Sequence, residues 1–393
     1  MGSPVIISQD GNDPEVKAII EAYREAFEIN LGVPLYRIEH YRAPDEEKDI
    51  NVDPWNKNDT KPYIDLAKHY GWALEQTFSG ASYDLDDSHR NQRITKPPLP
   101  NRVIILEEDI EIGRDFFSFM NATADFLDND DSLLAVSGYN DNGKKQIVAD
   151  VKRVVRSDFF PGLGWMMPRR VWFGVESHPN SALRGRWAPN GYWDDWMREP
   201  DVRLGRQVLR PEVSRTFHFG NIHGVSQTDV RESLNQVELD RVDVQWEKED
   251  LSCLSPERFA ESYWDRVSNA KLVSSEADAK YYIAHGDVRL NYDSQLQFES
   301  LAMVFNIMSD EKAGVPRTAF EGVVEIRYGK GDYIVFLTPP YVSESGQRPS
   351  TFGKKAWMNL DKPALLESFG LKTSEDWQAD QDWQGDQEDY RGY

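Results

Sequence analysis

Val103-Ile104-Ile105-Leu106 is an unbroken apolar run, three of its residues β-branched, and it ends directly in three acids, Glu107-Glu108-Asp109. A short apolar run without alternation is the pattern of a strand buried on both faces, as in the parallel sheets of α/β proteins. Such sheets take their ligands beyond the carboxyl ends of the strands, which is where the acids stand. The preceding sequence alternates in the same style. Val5-Ile6-Ile7 predicts a strand that breaks into the polar turn Ser8-Gln9-Asp10-Gly11, followed by a helix over 14–27 and a second short strand over 35–38. Ile64, Ala67, Tyr70, Leu74 and Phe78 recur at helical spacing, and another helix is expected from Asp115 to about Leu127. Strands alternating with helices predict an open α/β sheet.

After about Leu251 the pattern changes. Val288–Tyr292 alternates like a strand, 294–308 has helical character, and 322–328 and 333–337 flank Gly329-Lys330-Gly331-Asp332 as a hairpin. A smaller α+β domain is expected here. The Trp-Gln-Asp-rich end of the chain is too acidic and too poor in aliphatic residues to bury itself, so a disordered tail is expected.

Charge and cysteine content exclude several functions. A net charge of −22 leaves no basic excess for nucleic acid or for anionic lipid. The single cysteine, Cys253, excludes an intrachain disulfide framework and a CxxC metal site. No apolar stretch approaches the roughly 18–20 residues of a membrane span, and the start, Met1-Gly2-Ser3-Pro4, lacks the charged and apolar regions of a signal peptide. The histidines lack zinc-site spacing, and no G-x-G-x-x-G follows the first strand.

Three features carry possible chemistry. Glu107-Glu108-Asp109 offers oxygen ligands for a hard cation such as Mg²⁺ or Mn²⁺, although strand-end carboxylates are also often merely solvated. In Trp193-Asp194-Asp195-Trp196 the adjacent acids point apart on a helix, so one suits a general base and the other a cap or ion-pair partner. The indoles would stack on a sugar or pack in the core, and a pair of carboxylates also fits a glycosidase. Phe159-Phe160-Pro161-Gly162-Leu163-Gly164-Trp165 sets a Pro-Gly turn among aromatics, a place for close backbone approach to a ligand or simply a buried turn.

Taken together these segments resemble glycosyltransferase family 13. The matching stretches are Ser8-Gln9-Asp10, Leu66–Tyr70, Arg102–Asp109, Tyr139-Asn140-Asp141-Asn142-Gly143, Ser157–Trp165, Tyr192–Trp196, Arg210–Thr216 and Gly314-Val315-Pro316-Arg317, in family order. The resemblance implies a GT-A fold with a Rossmann-like sheet and a smaller α+β domain. It implies inverting transfer of GlcNAc from UDP-GlcNAc, with Mn²⁺, to the 2-hydroxyl of a terminal mannose on an N-glycan core. By the same resemblance Asp109 would touch the metal, and Glu107 and Glu108 the ribose and donor sugar. Asp10 would meet the uracil and His69 the nucleotide region. Leu163 and Trp193 would line the GlcNAc site, Asp194 would be the catalytic base, and Val225-Ser226 would close on the phosphates.

The organisation expected from this resemblance is a catalytic domain over 1–222, a linker and donor-ordered loop over 223–250, a small domain over 251–345 and a tail over 346–393. Family members are Golgi type II membrane proteins with a lumenal catalytic domain. The chain begins at what resembles the family's second strand, so a longer protein is expected, its first strand, stem and membrane anchor lying upstream of Met1. Two features differ from the nearest pattern. Glu108 stands where the closest relatives have Asp and where the O-mannose-linked branch has Glu, which keeps that acceptor, and a catalytically dead sugar-binding homologue, as alternatives. Residues 176–190 form an apparent insertion just before the base.

Overall fold

The computed structural model describes residues 4–33, 35–40, 57–80, 99–175, 181–188, 191–220 and 234–349. Val225, Ser226, parts of the 176–190 insertion and the tail from 350 onward lie outside the described residues. The described residues fall into two compact units, Met1–Val103 with Pro168–Trp193, and Ile104–Met167 with Asp194–Tyr393.

In the first unit, strand β1 (Val5–Asp10) is followed by helix α1 (Pro14–Leu31), strand β2 (Leu35–His40) and helix α2 (Lys57–Ser79). Proline fits the first position of a helix because its missing N–H would be unpaired there. Asp13 Oδ1 accepts from the amides of Glu15 at 2.8 Å and Val16 at 3.1 Å, which fixes the start of α1. β1 and β2 pair in parallel from Val5↔Leu35 to Asp10↔His40. The expected polar turn at 8–10 is therefore strand, and the chain turns only at Gly11, with φ of 82°. Backbone pairing with β2 keeps these polar residues extended, and the Arg37 guanidinium donates to Gln9 Oε1 at 3.1 Å. On α2 the residues Ala67, Tyr70, Leu74 and Phe78 are buried, the face that their spacing anticipates.

The second unit holds strands β4 (Ile110–Ile112), β5 (Leu133–Ser137), β6 (Val154–Ser157), β7 (Trp165–Pro168), β8 (Gln207–Pro211) and β9 (Thr216–His218), with helix α3 (Phe116–Asn129). Strand β3 (Arg102–Ile105) begins at the boundary of the two units. The main sheet runs β3-β7-β5-β8-β6, with β5 and β8 parallel and with β7 and β6 antiparallel to their neighbours β5 and β8. Its centre is β5, every residue of which is buried. The 103–106 run, expected to be central and doubly covered, instead stands at the edge of this sheet among the described residues, with Ile104 and Leu106 exposed. Val and Ile favour an extended backbone whether one face or two are covered, so the run identified a strand without fixing its rank in the sheet.

Phe116, Phe119, Met120 and Leu127 of α3 pack with Val136, Leu209, Trp246, Tyr263, Phe320 and Phe336 in one large core. A second core gathers Phe159, Leu290, Phe298, Phe305 and Leu337. The later residues form a four-stranded sheet in the order Lys271–Val273, Val288–Asn291, Val335–Thr338 and Val324–Ile326. Its last pair is antiparallel, as the hairpin reading expected. Ser294 accepts from the Gln297 amide and starts the helix Gln295–Phe305, within the expected 294–308.

Several of the motif residues hold this unit together. Arg317 pairs with Asp141 and, through two bonds of 2.7 and 2.8 Å, with Asp310. Glu212 accepts two bonds from Arg327 at 2.7 and 2.8 Å and one from Arg153 at 3.3 Å, while Arg153 also grips Glu325. Burial alone would raise the Glu212 carboxyl, but these guanidinium contacts hold it at about 2, against an ordinary 4.5. Unfolded Glu212 takes up its proton near 4.5, whereas the folded group resists down to about 2. Its contribution to stability is thus complete above about 4.5 and is lost as pH falls through about 2. Glu212→Gln is expected to lower the urea midpoint at neutral pH and to flatten the fall of that midpoint between these two pH values. Urea melts of both proteins across that range check this.

Candidate active site

Asp109 closes the turn between β3 and β4, and the Phe219 amide donates to its carbonyl at 2.9 Å. β4 pairs antiparallel with β9, Ile110 facing His218. That ladder brings together two residues distant in sequence, and His218 Nε2 lies 3.0 Å from Asp109 Oδ2. The hydrogen bond with His218 holds the Asp109 carboxyl below the usual carboxylate range, and the same bond raises the His218 imidazole. Asp109 Oδ1 and His218 Nδ1 are buried without hydrogen-bond partners among the described residues. Glu107 is half-buried beside them and Glu108 is exposed.

The second element is the turn at 161–164. Gly162, Leu163 and Gly164 all have positive φ, at 68°, 50° and 83°. A leucine in that region carries a backbone cost, which the surroundings must offset. All three carbonyls are taken: Ser137 Oγ donates to Gly162 at 2.8 Å, Thr216 Oγ1 to Leu163 at 2.7 Å and the Gly138 amide to Gly164 at 2.8 Å. A Cβ on Gly164 would stand 2.5 Å from Thr216 Cγ2.

Helix α5 (Trp193–Arg198) carries the paired acids. Trp193 is buried and stacks on Tyr70, with ring centroids 4.4 Å apart. Arg198 Nη1 donates to Asp194 Oδ2 at 2.9 Å and to Asp195 Oδ1 at 2.6 Å, and Asp195 Oδ2 lies 3.5 Å from Lys312 Nζ. The two acids, expected to have separate jobs, share one guanidinium. They still differ, because among the described residues both Asp195 oxygens face cations and only one Asp194 oxygen does.

In the first unit, the register of β1 and β2 sets Asp10 beside His40. His69 comes from α2, its Nδ1 3.3 Å from His40 Nδ1 and 3.7 Å from Asp10 Oδ1. Ser8 Oγ lies 3.1 Å from His69 Nε2, and His40 stacks on Trp72 at 4.6 Å. Among the described residues, Asp10, His40 and His69 form a group that could hold a metal ion.

The profile of the GNT-I family matches residues 2–349 of this chain. The chain belongs to the GNT-I family. An Arabidopsis thaliana relative, alpha-1,3-mannosyl-glycoprotein 2-beta-N-acetylglucosaminyltransferase, is 36% identical over 349 residues, spanning 88% of this chain and 69% of the relative. The likeness carried by the FFPGLGW and WDDW segments is thereby met, and membership of the GNT-I family makes the chain a glycosyltransferase with a sugar-nucleotide donor and a glycan acceptor.

Four of the residues found here were not singled out by the sequence: His40, His218, Gly220 and Arg198. For His218 no local signal exists, since only the β4–β9 ladder makes it a neighbour of Asp109. For Arg198 a signal did exist, the cation at i+3 and i+4 from the two acids. Gly220 matters because a Cβ there would stand 1.9 Å from Asp109 Oδ2. Gly220→Ala should push the Asp109 carboxylate off His218. The imidazole then loses the bond that raises it, so its titration midpoint should fall in the metal-free protein. NMR titration of the His218 ring checks this.

Proposed function

We propose that this chain transfers GlcNAc from UDP-GlcNAc to the 2-hydroxyl of a terminal α-1,3-mannose of an N-glycan core, with inversion at the anomeric carbon. The observation that carries the reading is the GNT-I family match over residues 2–349, to which the named Arabidopsis relative adds the reaction. We read the fold as GT-A, with catalytic residues over 1–222 and a smaller domain over 251–345. We place the protein in the Golgi membrane as a type II protein with this part in the lumen; among the described residues no helix is long and apolar enough to cross a membrane.

Asp194 is the proposed base. Its Oδ2 is held by Arg198, and its Oδ1 has no partner among the described residues on a side chain 44% exposed, so this oxygen can accept a proton. As the mannose 2-oxygen bonds to the anomeric carbon, the bond from that carbon to the diphosphate oxygen breaks. UDP departs with the electron pair, and the hydroxyl proton goes to Asp194. No covalent sugar–enzyme intermediate is required, so no enzyme nucleophile is needed.

Asp109 is the proposed metal ligand, and Mn²⁺ is the proposed ion. A half-buried carboxylate with one oxygen on His218 and the other without a partner among the described residues suits a hard divalent cation. The imidazole-rich group at Asp10, His40 and His69 suits a softer ion, and we assign Asp10 and His69 instead to the uracil and the nucleotide region. Mn²⁺ bound at Asp109 would supply Lewis-acid stabilisation of the departing diphosphate. We assign Glu107 and Glu108 to the ribose and donor sugar, Leu163 and Trp193 to the GlcNAc site, and Val225 and Ser226 to the phosphates.

The test is incubation of the chain with UDP-GlcNAc, Mn²⁺ and a mannose-terminated N-glycan, with an O-mannosyl peptide in parallel. Transfer to the N-glycan is expected, and its absence with transfer to the peptide would overturn the acceptor. Asp109→Ala should abolish Mn²⁺-dependent UDP binding in calorimetry. Asp194→Asn should keep that binding while turnover drops by about 10²–10⁴-fold, the usual weight of a general base. Donor binding without turnover by the parent chain would identify a sugar-binding homologue instead.

A further inference from the structure

Arg198 is one of the least exposed charged residues near the paired acids, at 5%. Its Nη1 serves Asp194 Oδ2 and Asp195 Oδ1, its Nε donates to the Phe160 carbonyl at 2.9 Å, and its guanidinium lies 4.7 Å over the Phe159 ring. Phe160 opens the turn whose three carbonyls are held by β5, β9 and the Gly138 amide. The acids therefore do not hang from a free helix end. One buried cation ties them to the residue that precedes this held turn.

Charge explains why two adjacent carboxylates coexist on one helical turn. Like charges this close repel, and Arg198 with Lys312 opposes them with two positive charges. Asp195 is engaged on both sides, by Arg198 and Lys312, which anchors the guanidinium. With Asp195 so engaged, the remaining bond to Asp194 Oδ2 fixes the direction of Asp194 Oδ1.

We propose that Arg198 is the positioning residue of the proton acceptor: anchored by Asp195 and the Phe160 carbonyl, it holds Asp194 through Oδ2 and thereby aims Oδ1. The inference rests on the assignment of Asp194 as base. The role assigned to Arg198 is exerted through Asp194, since its contacts are with Asp194, Asp195, Phe160 and the Phe159 ring. Its planar fork matters because one group must donate along two directions, to the carboxylates and to Phe160. A lysine offers a single nitrogen on a flexible stem and cannot keep both.

The test compares Arg198→Lys, Arg198→Gln and Asp194→Asn in the whole chain with UDP-GlcNAc, Mn²⁺ and the mannose acceptor, measuring kcat, KM for each substrate, Mn²⁺-UDP affinity and Tm. Misaiming a catalytic group by about 1 Å costs about 100-fold in rate. Arg198→Gln is therefore expected to lose about 100-fold in kcat, with donor KM and UDP affinity changed less than about twofold, and Arg198→Lys to recover part of that rate. Arg198→Lys with parental kcat, while Asp194→Asn is inactive, would overturn the positioning role and leave the base assignment standing. Loss of UDP binding or of folding in Arg198→Lys would assign the residue to the fold alone and also overturn it. Turnover by Asp194→Asn would instead bring down the base assignment.

Discussion

Arg215 is fully buried, and the second unit is arranged around its charge. It meets Asp115 at 3.3 Å and Asp240 at 3.0 Å, donates to the Val213 carbonyl at 2.6 Å, and lies 5.0 Å over the Trp246 ring. Trp246 Nε1 in turn donates to Asp115 Oδ2 at 2.6 Å. A buried guanidinium without these partners would be destabilising by several kcal/mol, of the order of 3–5 for removal of one partner. The requirement is geometric as well as energetic. Asp115 starts α3, and Arg215 leads into β9, so satisfying the charge fixes the register in which β9 meets β4. His218 stands beside Asp109 as a result.

The same logic runs through the other polar motif residues. Asn140 donates to the Glu212 carbonyl at 2.6 Å, and its own amide donates to Ser214 Oγ at 2.9 Å. Asn142 bonds Thr318 and receives the Met308 amide. These bonds hold loops from distant parts of the chain at fixed spacing. Leaving a buried polar group without a partner is costly, so such a network constrains the sequence at every one of its positions.

Much of this was legible in the residues. Helical periodicity located α1, α2 and α3, and the apolar runs located β1, β2 and β3. Local pattern reports local conformation, and it did so here. It could not report that β3 stands at an edge or that β1 persists through Ser8-Gln9-Asp10, because both follow from which strand lies alongside. For the candidate site, the acids at 107–109 and 194–195 were visible as clusters, since carboxylates adjacent in sequence stay adjacent in space. Arg198, which holds the pair at 194–195, lies within helical spacing of it. His218, by contrast, reaches Asp109 only through the β4–β9 ladder and His40 reaches Asp10 only through the β1–β2 register, and no spacing rule finds either.

The turn at 161–164 has a consequence for motion. Each of its three left-handed residues has its carbonyl held from a different point of the scaffold, and Thr216 fills the space that any side chain on Gly164 would need. Such a segment cannot open one residue at a time. Displacing it means breaking three hydrogen bonds at once, which puts its opening among the slow, near-global fluctuations rather than the fast ones of a surface loop. The turn therefore acts as an anvil and not a door: whatever lies against it meets a fixed surface.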